Sequence, residues 1–311
     1  MDVNAKWYKF DDQKPVIQLF TSFSLIVVAG TAIYCLFAFA GSFMFGVSFS
    51  DMIGAQDIKI DEANKDILKF NQFIQEIAMF IIPGFILAAM FKKRDESYLK
   101  INSLPEAKLV LLVVLLALTM IPVTMYTGNL NSKLVLPQRL SGVEEWIKSK
   151  ENIASDLTSL FIQSSNRWEL ILNIIILALL PSIAEEIIFR GILQKIFCRI
   201  FRSYHAAIWI TAIIFSAIHL QFYGFIPRLL LGLCFGYLFY WSGNLWLPVL
   251  AHFVNNLVPI LFAYSIGWTE LNEKTGEISG VKIAVPLASL FLCVIILYHF
   301  RNEYRKREIK S

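Results

Sequence analysis

The chain has 311 residues, of which 57% are hydrophobic and only 17% charged, and its mean hydropathy is +0.60. Soluble domains run nearer about 45–50% apolar, so the composition excludes a water-soluble domain with one large core and indicates a polytopic membrane protein. The net charge of +4 sits in short flanks between apolar runs, which suits membrane orientation and excludes nucleic acid as a partner, since that would need a basic face or stripe.

Residues 1–15 are polar, with Lys6, Lys9 and Lys14. The first apolar run, 16–46, is too long for the core of a cleavable signal and long enough to cross a bilayer with tilt. A polar loop, 49–68, leads to the second run, 70–91, which stops at Lys92-Lys93-Arg94; the third run is 108–126. In the long connection 127–168, Val143, Trp146, Ile147, Ile153, Leu157, Leu160 and Phe161 recur near helical period among charges. That spacing predicts an amphipathic helix near 141–165, lying either on the membrane surface or over the outside of the bundle. The fourth run starts near Trp168 and ends at Lys195, Arg199 and Arg202. The fifth, sixth and seventh cover 205–222, 225–241 and 245–267. After a polar segment, 268–280, the eighth covers 281–300 and ends in a basic tail, Arg301 to Lys310.

The expected fold is therefore all-α, a polytopic membrane bundle of about eight transmembrane helices. It divides into a three-span region with the interfacial helix (1–165), four core spans (166–267), and a last span with its tail (268–311). Eight crossings put both termini on one side. That side carries 16 Lys and Arg against 11 on the other, so both termini are expected to be cytoplasmic. Cys35, Cys198, Cys234 and Cys293 show no CxxC spacing, so neither a disulfide framework nor a thiolate metal site is read from them.

The fourth run carries PSIAEEIIFRGIL, residues 181–193, with three ionisable groups in six positions. Each costs about 2.5–3.5 kcal/mol at the centre of a membrane helix. Glu186 and Arg190 are spaced i, i+4, with the acid first, and can neutralise one another. Glu185 points about 100° away around the helix and has no partner there, which makes it the candidate general base. Pro181 removes one backbone hydrogen bond nearby and can kink the helix and admit water. Taken alone, the stretch has a second reading, a purely structural Glu–Arg pair beside a protonated glutamate.

Two further runs carry matching polar groups. The fifth ends FSAIHL, with Phe215 and His219 at i, i+4. Glu185 and His219 each lie 17 residues from Arg202, and Lys195 and Trp209 each lie seven. A hairpin turning at Arg202 would therefore bring Glu185 and His219 to one depth. The seventh run carries HFVNN, in which His252 and Asn256 share a face and Asn255 lies beside it. Polar groups at membrane depth turn toward the bundle interior, so three spans offer Glu, His, and His with Asn to one site. His205 and His299 lie at span ends and read as interfacial. Gly232 and Gly236 form a GxxxG spacing, which marks either tight packing inside the bundle or a homodimer face; the oligomeric state is not encoded further.

Two chemistries fit this set. Glu185 and His219 could activate a water while His252 and Asn256 hold the oxyanion of a scissile carbonyl. Alternatively, Glu185, His219 and His252 could be the three protein ligands of a divalent metal such as Zn, with an open fourth position. The HExxH signature is absent.

The order EEIIFR (185–190), FSAIH (215–219) and HFVNN (252–256) on three spans resembles the CPBP family. These are the CAAX-processing and bacteriocin-processing intramembrane proteases, also called Abi proteins or type II CAAX prenyl endopeptidases. The likeness covers roughly 165–260, and the first three spans carry no signature. It implies an eight-helix bundle in the cell membrane of a bacterium, acting as a membrane-embedded endopeptidase. Glu185 and His219 would act on the water, His252 and Asn256 on the oxyanion, and Glu186 and Arg190 would shape the site. It leaves the metalloprotease and metal-free glutamate versions both open. The substrate would be a membrane-associated or lipidated protein or peptide. Two other classes remain to be weighed: a non-catalytic membrane scaffold, for which an unpaired buried carboxylate has no use, and an ion-coupled transporter, for which the charges form one cluster rather than a pathway.

Overall fold

A computed structural model describes residues 13–53, 59–92, 97–134, 136–164, 166–267 and 283–308. The polar N-terminal residues 1–12, Lys93-Arg94, the segment 268–280 and the end of the basic tail lie outside these. Among the described residues the chain is helical, without a strand. The helices are α1 (Pro15–Phe45), α2 (Phe49–Ile53), α3 (Glu62–Phe91), α4 (Ala107–Ser132), α5 (Ser141–Ile162), α6 (Arg167–Phe201), α7 (Tyr204–Ala217), α8 (Phe225–Ser242), α9 (Trp246–Ile266) and α10 (Ala284–Glu308). Local chemistry sets several of their ends. Asn166 caps α6 by accepting from the Trp168 and Glu169 N–H groups, and Ser203 caps α7 by accepting from Ala206. Gly46 and Gly243 end α1 and α8 at φ of 66° and 57°, the left-handed region that costs glycine least.

The helices form an up-and-down bundle in which α4 packs on α8, α9 and α10, while α7 packs on α8 and on the last turns of α6. One end of the bundle is tied by Arg199 to Gln18 (2.8 Å), the Asn244 amide to the Ser103 carbonyl (2.8 Å), the Trp246 indole to the Ile101 carbonyl (3.0 Å) and Lys108 to Glu303 (2.9 Å). The other end is tied by Lys65 to Glu169 (2.6 Å) and by contacts of α4 and α5 to the turn after α7.

Among the described residues seven helices are long and apolar enough to cross a membrane, where about eight are expected. The correction falls on the run 205–222. There α7 is a 14-residue helix, about 21 Å at 1.5 Å per residue against a hydrocarbon core of about 30 Å. It stops because Leu220 takes a left-handed φ of 54° and the chain turns through 218–224 into α8. Irregular backbone at such a place survives only where protein satisfies its polar groups. Asn131 of α4 donates to the Phe222 carbonyl (2.6 Å) and accepts from the Ile226 N–H (3.1 Å). Glu151 of α5 accepts from the Tyr223 N–H (2.8 Å), and the Ser216 hydroxyl donates to the Phe225 carbonyl (2.6 Å).

The amphipathic segment forms α5. It covers the end of the bundle with buried Ile147, Leu160, Phe161 and Ile162 and leaves Val143, Trp146 and Ile153 exposed. The GxxxG pair is used inside the bundle. A methyl group added at Gly232 would stand 3.0 Å from the Ala212 side chain, and one at Gly236 would stand 2.8 Å from that of Ile208. The small residues let α8 approach α7 closely enough for the Gly232 and Gly236 carbonyls to accept from Arg190 and Gln194, each at 3.0 Å.

Candidate active site

Two wide, π-helical turns flank the acidic stretch of α6, Ile174–Leu179 before it and Ile187–Leu193 after it. The first immediately precedes the stretch carrying Pro181, and α3 repeats the device with a wide turn at Glu76–Ile81 before Pro83. A proline cannot donate its backbone bond and crowds the preceding turn; a locally widened helix accommodates both defects, and such turns recur at functional sites.

Glu186 and Arg190 are fully buried and paired at 2.7 Å, as the i, i+4 spacing predicts. The guanidinium lies over the rings of Phe215 (4.8 Å) and Phe235 (5.4 Å) and donates to the Gly232 carbonyl, so the charge is paired, hydrogen-bonded and enclosed by aromatic faces. The same carboxylate oxygen that meets Arg190 also meets His252 Nδ1 at 3.1 Å. A carboxylate can only accept, so Nδ1 carries a proton. His252 is further fixed by stacking on Phe235, with centroids 5.2 Å apart. Glu186 thus joins α6 to α9, a role that its pairing with Arg190 did not suggest.

His252 Nε2 comes within 3.9 Å of Glu185 Oε2. This is beyond a direct hydrogen bond and fits a shared proton carrier such as water between them. Glu185 Oε2 is buried and has no hydrogen-bond partner among the described residues. Across the site, His219 Nδ1 lies 2.7 Å from the Phe215 carbonyl. Because a carbonyl only accepts, Nδ1 carries the proton and Nε2 keeps its lone pair. The strained Leu220 follows directly, a backbone conformation of the kind that persists where the surroundings over-determine it.

A cavity of about 460 Å³ brings together Glu185, His219, Asn255 and Asn256 with apolar Leu157, Phe161, Ile162, Ile176, Leu177, Pro259 and Ile260. His252 stands behind Glu185, 6% exposed. The hairpin at Arg202 is as predicted: its φ is 51°, and α7 packs back along the end of α6. His205 does not enter the site; it pairs with the Tyr237 hydroxyl at 2.7 Å. Two residues that sequence reasoning missed also line the cavity, Gln72 and Glu76 of α3. The signal was present as an acid at i+4 from a glutamine inside the apolar run 70–91, the same test that drew attention to Glu185.

Glu185, His219 and His252 are not gathered around one point in this structure as three zinc ligands would be. Among the described residues no three His, Cys, Asp or Glu side chains are gathered as a ligand set. Zinc ligands would each have to converge to about 2.0–2.2 Å from one point; the bonds to Glu186 and to the Phe215 carbonyl occupy only the Nδ1 atoms of His252 and His219.

Residues 167–258 match the family model described as type II CAAX prenyl endopeptidase Rce1-like. The match covers less than a third of the chain and shows a likeness of this part to that family. The Rce1-like segment runs from α6 to the middle of α9 and includes all three motifs, but not α3 with Gln72 and Glu76. The chain is also 35% identical over 90 residues to YpbD of Bacillus subtilis (strain 168), an uncharacterized protein; the match takes in 28% of this chain and 43% of YpbD, so it spans less than half of that relative. No solved structure matches the chain.

Proposed function

We propose that the protein is an intramembrane endopeptidase that hydrolyses a peptide bond of a membrane-associated or lipidated protein or peptide without a metal. The observation that carries this reading is the convergence on one cavity of Glu185 from α6, His219 from the turn after α7 and Asn256 from α9, with His252 Nε2 3.9 Å from Glu185 Oε2. The match of 167–258 to a family model described as type II CAAX prenyl endopeptidase supports the reaction class. The apolar lining suits an extended hydrophobic peptide.

A water between Glu185 and His219 loses a proton to the Glu185 carboxylate as its oxygen attacks the scissile carbonyl, and the His219 Nε2 lone pair accepts the water's second hydrogen as a hydrogen bond. The carbonyl oxygen becomes an oxyanion. The Asn256 amide donates to it, as does His252 when Nε2 as well as Nδ1 carries a proton. Glu185 then returns its proton to the leaving amine as the C–N bond breaks. Glu186 and Arg190 hold His252 and the α6–α8 contact in place. Gln18 of α1 and Glu303 of α10 are tied into the same end of the bundle although α7 is short, and with this the positive bias supports a cell-membrane protein with both termini cytoplasmic.

The test is cleavage of a quenched-fluorescence prenylated CAAX peptide by purified protein in liposomes. Glu185→Ala, His219→Ala and His252→Ala are each expected to remove turnover while the protein still accumulates. Loss of the base or an oxyanion donor costs about 10²–10⁴-fold. Full activity in any one of them removes that residue from the mechanism.

A further inference from the structure

Glu76 is an acid in the middle of α3, 5% exposed, at the first residue of the wide turn Glu76–Ile81. One of its oxygens accepts from the Gln72 amide at 3.0 Å. The other is buried and has no hydrogen-bond partner among the described residues. The stretch of α3 that carries it packs against Leu180–Glu186 of α6, and Gln72 and Glu76 share the cavity with Glu185, His219 and Asn256. An ionisable group at this depth is expensive and marks function by default, and Glu76 lies outside the Rce1-like segment.

We propose that Glu76, oriented by Gln72, is a substrate-binding residue whose free carboxyl oxygen accepts a hydrogen bond from a backbone N–H of the peptide beside the scissile bond. A peptide drawn into an apolar cavity brings N–H groups that need acceptors there. In the mechanism above Glu185 is committed to the water, and the Asn256 amide and His252 to the carbonyl oxygen. Glu76 is the other carboxylate in the described lining of the cavity, and its free oxygen offers the peptide an acceptor. The proposal rests on the endopeptidase reading for its substrate class.

The experiment uses the full chain in liposomes and the same quenched prenylated CAAX peptide. Glu76→Ala is expected to raise KM about tenfold with kcat changed less than about threefold, the size of one lost hydrogen bond to a charged acceptor. Glu76→Gln keeps an acceptor oxygen and is expected to recover most of the loss. The melting temperature of Glu76→Ala is expected to stay at or above the parent value, because an unpartnered buried acceptor leaves with the side chain. An unchanged KM, or a fall in melting temperature that parallels the change in KM, would overturn the proposal. So would a fall in kcat at constant KM. Binding separates this inference from the reading beneath it. Anisotropy of the labelled peptide on Glu185→Ala protein is expected to weaken about tenfold when Glu76→Ala is added. Equal binding sinks the role of Glu76 alone, whereas an active Glu185→Ala protein sinks the endopeptidase mechanism.

Discussion

Replacing Glu186 by alanine removes the carboxylate that serves two partners at once, Arg190 at 2.7 Å and His252 Nδ1 at 3.1 Å. Arg190 is fully buried and would keep only the Gly232 carbonyl and the aromatic faces of Phe215 and Phe235 around its charge. Breaking a buried pair by deleting one partner costs about 3–5 kcal/mol, because the remaining charge is left uncompensated. A double replacement, Glu186→Leu with Arg190→Leu, removes both charges together, and apolar side chains of similar volume in place of a buried pair are often neutral or stabilising by about 1–4 kcal/mol. Stability should therefore collapse in Glu186→Ala and return in the double variant. Turnover should stay low in both, because His252 has lost the acceptor that holds its Nδ1 proton and fixes its ring. Denaturant unfolding in mild detergent reads the first quantity, and peptide cleavage reads the second. A Glu186→Ala protein as stable as the parent would show that the pair does not carry a buried charge. A double variant with restored turnover would show that Glu186 does not govern His252.

Three other outcomes follow from the same geometry. Asn131→Leu leaves the Phe222 carbonyl and the Ile226 N–H without their side-chain partner. It should cost about 2–4 kcal/mol and loosen the 218–224 turn, seen as faster hydrogen exchange at Tyr223 and Gly224. Gly236→Leu forces a side chain into the contact with Ile208 and should cost about 1–3 kcal/mol, read as a lower melting temperature. Treatment with a strong chelator should leave cleavage within about twofold, since the donors are not arranged as a ligand set; loss of turnover that added zinc restores would refute the metal-free mechanism.

Much of the fold could be read from the chain alone, because a membrane makes the relevant signal local. Each apolar run is long enough to cross or it is not, and the seven crossing helices fall on seven of the eight runs. The i, i+4 spacing of Glu186 and Arg190 is a property of one helix, so their pairing needed no neighbour. The turn at Arg202 was likewise legible, since equal spacing of Glu185 and His219 about it reflects only a rise per residue. Tertiary structure decided the rest. The run 205–222 falls short as a helix because Asn131 and Glu151, far away in sequence, satisfy the open backbone of 218–224, and hydropathy carries no record of such partners. Glu186 acts on His252 across 66 residues, and Gln72 and Glu76 join the site only because α3 packs against α6. Periodicity states which face of a helix is polar; which helix that face meets is settled by packing, and in this protein that choice turns a costly acid of α3 into part of the cavity.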